Sequence, residues 1–135
     1  MSARRKARKR ALDFLYEADM RKKGALELYT LRPADELSAG DYVAALLQGV
    51  AEHQEKIDDL IITYAQGWDL DRMPSIDRNL LRIALYEILY NDSVDDKIAV
   101  TEAVELAKEL STDESAGYIN GVLGRIIALK PSLAL

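Results

Sequence analysis

The sequence predicts an all-α protein of about six or seven helices. Apolar residues recur at intervals of three and four along most of the 135 residues, which is the helical period. No segment alternates apolar and polar residues between hairpin turns, and no unit of 20 to 50 residues repeats. A chain of this length buries roughly two thirds of its surface on folding, so residues 1–135 are expected to form one domain.

The first predicted helix is amphipathic and strongly basic. Its apolar positions follow the helical spacing, and most of its basic side chains fall between them: Ala7, Ala11, Phe14, Leu15 and Ala18. Ser2 is placed to cap the start of this helix, and Gly24 is a plausible end. The arginines are therefore displayed from a helix whose other face is anchored in a core.

Two further helices are predicted in the first half. A short helix fits residues 25–31 and would break before Pro33, because the residue before a proline disfavours the helical region. Ser38 then caps a long periodic segment at residues 42–64. Gly49 and the polar stretch around His53 would allow this segment to divide into two helices.

The second half contains three predicted helices after a connector at residues 67–74, where Trp68 and Leu70 are expected to tuck against the body. Residues 76–90 are apolar on more than one face, so this helix is expected to be central. Residues 98–110 form the next helix. Asp113 caps the last one, which Pro131 closes.

Composition excludes several classes of site. The chain has no cysteine, which removes disulfides, thiolate nucleophiles and cysteine-ligated metals, and it has a single histidine, His53, which reads as a surface residue. No run of about 18 apolar residues could span a membrane, so a cytoplasmic protein is expected. None of the phosphate-loop, dinucleotide, nucleophile-elbow or HExxH motifs occurs, so no catalytic residue, metal or cofactor is expected and the protein is not predicted to be an enzyme.

Charge is segregated along the chain. The first 23 residues contain nine basic and three acidic residues, a net charge of +6, although the whole chain carries −5. The remainder therefore carries −11. A basic end of this density on an acidic body predicts a local phosphate-binding surface, although a solvated basic tail without a ligand is the simpler alternative.

Three segments in order resemble the NusB family. They are residues 7–16 at the basic start, residues 76–87 (IDRNLLRIALYE), and residues 98–108 (IAVTEAVELAK) taken together with 118–123 (YINGVL). The resemblance, closest to actinobacterial members, implies two packed three-helix subdomains, approximately residues 1–67 and 68–135. It also implies a transcription antitermination factor that binds single-stranded boxA RNA of ribosomal RNA transcripts together with the ribosomal protein NusE, in the antitermination complex of RNA polymerase.

The same resemblance assigns roles to individual residues. The RNA-binding residues would be those of the basic start and one aromatic residue: Arg4, Arg5, Arg8, Arg10 and Tyr118. The residues at the ribosomal partner, or at the RNA beside it, would be Tyr16, Asp77 and Arg82. Basic side chains that follow phosphates, with an aromatic ring that stacks on a base, are the usual means of binding a single strand.

Simpler interpretations stay open at this stage. Tyr118 would serve equally as a core residue, and Arg82 could pair with Asp77, or Arg78 with Glu87, as surface ion pairs of little energetic weight. Lysine often stands in the family where this chain has Gly117. Some actinobacterial members self-associate, so a homodimer is included in the expectation.

Two other functions compete with RNA binding. A helical adaptor could use the basic start to bind an acidic protein. A NusB-like domain also serves as an accessory module of RNA-modifying methyltransferases, but this chain ends at Leu135 without a cofactor-binding domain, which argues against a free-standing enzyme.

Overall fold

A computed structural model describes residues 2–31 and 41–133 of the chain. The described residues form six α-helices and no strand: α1 (Ala3–Arg21), α2 (Ala25–Thr30), α3 (Asp41–Tyr64), α4 (Ser75–Tyr90), α5 (Asp96–Leu110) and α6 (Asp113–Leu129). Short 3-10 turns occupy Leu70–Arg72 and Lys130–Ser132. The all-α prediction is confirmed. The predicted break before Pro33 and the cap at Ser38 lie outside the described residues.

Helix α1 begins where the sequence predicts and ends two residues earlier. The Ser2 hydroxyl accepts a hydrogen bond from the Arg5 backbone N–H at 3.0 Å, which satisfies one of the free donors of the first turn. Lys22 takes the left-handed conformation, with φ of 55°, and ends the helix. Gly24 stands instead at the N-cap position of α2, so the prediction that it ends α1 is corrected.

Helix α3 is continuous, and the suggested division at Gly49 does not occur. Gly49 is buried against α4, and a Cβ atom at this position would overlap the ring of Tyr86. The glycine therefore permits a close approach of two helices and does not break one. The polar stretch lies on the outer side of α3, where the half-buried ring of His53 stacks on Tyr90 with 3.6 Å between ring centroids.

Helix α4 is central, as its apolar sequence predicts. It contacts α1, α3, α5 and α6, and both ends of the chain contribute to one cluster of buried apolar side chains around it. Because the two proposed halves share this core, their boundary between residues 67 and 68 stays a prediction. No described helix is long and apolar enough to cross a membrane.

The remaining boundaries differ little from expectation. Thr112, not Asp113, caps α6: its hydroxyl accepts from the Ser115 backbone N–H at 2.9 Å, and Asp113 is the first helical residue. Trp68 and Leu70 of the connector are partly buried against the core, as predicted. Pro131 lies in the 3-10 turn that follows α6.

Candidate nucleic-acid interface

Arg8 is the buried member of the basic start. Its side chain is 4% exposed, and Nε donates to both carboxylate oxygens of Glu87, on α4, at 3.0 Å. Tyr42 donates its hydroxyl to the same carboxylate. A guanidinium enclosed in this way binds α1 to α4 and does not reach a phosphate. The expectation that Arg8 contacts RNA is therefore corrected to a structural role.

Arg4 lies at the surface and is held by uncharged groups. Its guanidinium carbon is 4.3 Å from the centroid of the Tyr42 ring, and Nη1 donates to the Ser93 hydroxyl at 3.3 Å. Ser93 in turn donates to Asn91 at 2.7 Å, and the Asn91 amide donates to the Tyr42 hydroxyl at 3.2 Å. Arg4 forms no ion pair with a described residue, so an oriented cation is left for an external anion.

Tyr42 connects the buried and exposed arginines. Burial raises the pKa of its hydroxyl, and the hydrogen bond to Glu87 and the charge of that carboxylate raise it further. The hydroxyl therefore stays a donor at neutral pH. Sequence reasoning missed this residue and its partners at Asn91 and Ser93, because nothing in the spacing of α3 shows that its first turn meets the turn before α5.

Arg5 and Lys9 are half-exposed and already paired with carboxylates of α5. Arg5 donates to Glu102 at 2.6 and 3.1 Å, and Lys9 donates to Glu109 at 2.7 Å. The hydrogen bond to Glu102 is the main cause of a raised pKa at Arg5, and the bond to Glu109 has the same effect on the pKa of Lys9. With Arg8, three of the nine basic residues of the start are thus paired with carboxylates of the acidic remainder of the chain.

Arg10 lies at the exposed side of α1, with its guanidinium carbon 5.5 Å from the centroid of the Phe14 ring. Lys6 is also exposed. With Arg4 and the outer faces of Arg5 and Lys9, these residues form a basic surface along the first two turns of α1. The structure therefore brings three of the four predicted arginines to the surface and removes Arg8.

Tyr118 lies at a second candidate position, half-buried on α6. Its hydroxyl donates to the carbonyl oxygen of Gln66 at 3.0 Å, and its ring meets Trp68 edge-to-face with centroids 4.8 Å apart. Both rings line a cavity of about 410 Å³. Burial raises the pKa of the Tyr118 hydroxyl. A Cβ atom at Gly117, one residue earlier, would meet nothing within 4 Å, so the surface beside the ring is open.

The residues predicted to meet the ribosomal partner do not share one accessible surface. Tyr16 is 42% exposed on α1. Asp77 is fully buried and accepts from the Ser115 hydroxyl at 2.9 Å. Arg82 is 8% exposed and donates to both oxygens of Asp58, at 2.9 and 3.0 Å. Burial therefore contradicts a surface position for Asp77 and Arg82, and their relation to the partner stays a prediction.

The alternative ion pairs are not formed either. Arg78 pairs with Asp19 of α1, at 2.9 Å, and not with Glu87. Arg82 pairs with Asp58 of α3, and not with Asp77. Both arginines therefore connect α4 to other helices. Across the described ranges no group of three His, Asp or Glu side chains is placed to hold a metal ion.

Comparison with known proteins gives relatives over almost the whole chain. The transcription antitermination protein NusB of Nocardioides sp. strain JS614 is 52% identical over 135 residues, covering 99% of this chain and 100% of the relative. The protein of the same description from Arthrobacter sp. strain FB24 is 54% identical, with 98% of each chain covered.

Solved structures give the same result. The chain superposes on Thermotoga maritima NusB with a TM-score of 0.83 at 28% identity, covering 98% of this chain and 99% of that one. A structure of the antitermination factors NusB and NusE in complex with double-stranded RNA matches with a TM-score of 0.82 at 26% identity, covering 95% and 98%. The model of the NusB family matches residues 5–128, and the chain belongs to that family.

Proposed function

We propose that this protein is a transcription antitermination factor that binds boxA-type RNA together with NusE, within the antitermination complex of RNA polymerase. The observation that carries the proposal is the environment of Arg4. Its guanidinium is exposed, oriented by Tyr42 and Ser93, and free of any carboxylate among the described residues. Such a cation loses little freedom on meeting a phosphate, so more of the interaction appears as affinity.

The basic surface on α1 supplies the phosphate contacts in this proposal. Arg4 and Arg10 are its principal members, and Arg5 contributes through Nη1, which makes no hydrogen bond within the described residues. Tyr118 supplies a ring for one base beside the open surface at Gly117, which would contribute roughly 1 to 3 kcal/mol. Relatives that carry these descriptions and a neighbour solved with RNA and NusE support the assignment.

The partner surface is proposed to lie on the exposed side of α1. Tyr16 and Met20 stand one helical turn apart, with 42% and 62% exposure, and large exposed apolar side chains are typical of protein contacts. Behind them, the Asp19 carboxylate accepts from Arg78 at 2.9 Å and fixes this end of α1 on α4. Arg82 then acts from within, since its Nη1 lies 3.9 Å from the same Asp19 carboxylate. Asp77 is proposed to act less directly, by holding α4 to α6 through Ser115.

The test is binding of fluorescent boxA RNA and a scrambled RNA of equal length, single-stranded and double-stranded, with and without NusE, at two salt concentrations. We expect a preference for boxA that NusE strengthens, and a fall of affinity with salt at a log–log slope near −0.7 per phosphate contact for single strands. Arg4→Gln should flatten this slope, and Tyr118→Leu should lower affinity with little change of slope. Equal binding to both sequences would refute the proposal and favour an adaptor.

We also propose no catalytic role, a cytoplasmic location and a capacity to form homodimers. Sedimentation of the protein alone and with NusE tests the last point. A dimer that dissociates when NusE is added would place the two contacts on a shared surface, whereas a monomer at all concentrations would refute self-association.

A further inference from the structure

The basic start of α1 faces a row of carboxylates on α5. Glu102 and Glu109 lie two turns apart on one face of that helix and pair with Arg5 and Lys9, which are one turn apart on α1. Glu105 lies between them and also contributes to the raised pKa of Arg5. Two of the surface cations are thus matched one to one by carboxylates of the same chain.

Pairing changes what these cations offer to a polyanion. Glu102 occupies two of the five N–H donors of Arg5 and cancels its charge, and its own side chain is only 13% exposed, so water screens this pair less than it would a fully exposed one. An incoming phosphate must displace the carboxylate or use Nη1 beside it. Arg4, held by Tyr42 and Ser93, presents no such competition.

We propose that Glu102 and Glu109 determine specificity by holding Arg5 and Lys9 neutralised, so that polyanions without the recognised sequence gain little from these two cations. The inference rests on the proposed RNA-binding function and adds a role for α5 within it. RNA that is fixed by base contacts brings its phosphate to Arg5 at a set position and can use Nη1. A strand held by charge alone meets the carboxylates first.

The experiment compares Glu102→Gln/Glu109→Gln with Glu55→Gln/Asp59→Asn. Both pairs remove two negative charges, and the control residues are exposed on α3 and form no ion pair with α1 among the described residues. We expect the first variant to bind a short oligouridine roughly three- to tenfold more tightly than wild type, the size of exposed ion pairs, with a salt slope steeper by about 0.7 for each released cation. Affinity for boxA RNA should rise less, so discrimination falls.

Elution from immobilised heparin separates this inference from the proposed function. If wild type fails to prefer boxA over scrambled RNA, the proposed function fails, yet heparin still reports whether the carboxylates mask the cations. Elution of Glu102→Gln/Glu109→Gln at higher salt than the control variant supports masking. Equal elution, or weaker oligouridine binding than wild type, overturns the inference, the latter because Glu102 would then orient Arg5 for the ligand. Unchanged melting temperatures show that the fold is intact.

Discussion

The two ends of α1 are fixed to α4 by ion pairs of opposite polarity. Toward the N-terminus, α1 supplies the cation: Arg8 meets Glu87. Toward the C-terminus, α1 supplies the anion: Asp19 meets Arg78, with Ser75 and Asn79 on the same carboxylate. A reversed α1 would bring cation to cation and anion to anion. These pairs therefore specify the antiparallel direction of two helices whose apolar contacts alone specify it weakly.

The two ends differ in burial. Side-chain exposure is 4% and 1% for Arg8 and Glu87, but 17% and 24% for Arg78 and Asp19. A desolvated charge without its partner is far more costly than one that water can reach. Removal of one partner is therefore expected to lower the free energy of unfolding more at the N-terminal pair than at the C-terminal cluster.

The largest expected effect is that of Glu87→Ala. The substitution leaves the buried guanidinium of Arg8 without a counter-charge, so we expect the free energy of unfolding to fall by roughly 3 to 5 kcal/mol. Urea unfolding measures the loss. Arg8→Met/Glu87→Leu removes both charges and should be clearly more stable than the single variant. A loss below about 1 kcal/mol for Glu87→Ala would contradict the large destabilisation expected when one partner of a desolvated ion pair is removed.

Asp19→Asn tests the other end. The amide keeps one acceptor oxygen but turns its NH₂ toward the donors of Arg78 and Asn79, so we expect a loss of about 1 to 3 kcal/mol, less than at Glu87. The same urea measurement applies, with Asp59→Asn on the exposed side of α3 as the control. A larger loss here than for Glu87→Ala would reverse the ranking of the two ends.

The pH dependence of the Asp19 variant sharpens this ranking. Burial acts to raise the pKa of Asp19, but hydrogen bonds from Ser75, Arg78 and Asn79 outweigh it, and the pKa is lowered in the folded protein. A carboxylate whose pKa is lowered by folding stabilises the folded protein at pH values above its pKa in the unfolded chain, about 3.9. This stabilisation is lost as the pH falls through the pKa of the folded protein. The stability difference between wild type and Asp19→Asn should thus be constant near neutral pH and shrink in acid. A constant difference down to acid unfolding would exclude this linkage.

Several features of the fold could be read from the sequence because they depend on local spacing. The helical period placed all six helices, and the high apolar content of residues 76–90 identified α4 as central. The environment of each arginine could not be read in this way. Arg5, Arg8 and Lys9 lie within one turn of α1, but their partners are 79 to 100 residues away. The density of charge in the sequence therefore predicted where the basic surface lies. It did not show which of its cations are already paired with carboxylates and so are not available to a phosphate.

Gly49 is a second case in which a contact distant in the sequence, and not the local pattern, determines the role of a residue. A glycine inside a helical pattern weakens the helix locally, which favours a break when only the sequence is considered. The ring of Tyr86, 37 positions away, fills the space where a side chain would lie. Asp77 and Arg82 also match a family motif that does not report their burial.

Tyr42→Phe tests how much the Tyr42 hydroxyl, which links the buried Arg8–Glu87 pair to Asn91, contributes to stability. It removes the hydroxyl that donates to Glu87 and accepts from Asn91, while Arg8 remains paired, so we expect a loss of about 0.5 to 1.5 kcal/mol. Tyr64→Phe, whose hydroxyl makes no hydrogen bond within the described residues, serves as the control in thermal unfolding. Equal stability of the two variants would show that the Tyr42 hydroxyl does not help to stabilise the contact between the N-terminal end of α1 and α4.

The smallest effect on stability is expected one residue beyond Arg8. Lys9→Gln removes an ion pair with Glu109 whose side chains are 37% and 45% exposed, and water already solvates both groups. We therefore expect no measurable change in thermal or urea unfolding. Arg8→Gln, in contrast, removes the cation paired with the buried Glu87 and should destabilise the protein strongly. The two substitutions make the same chemical change at neighbouring positions of one helix. Similar losses for both would mean that α1 is held by its total charge, and the contrast drawn from burial would fail.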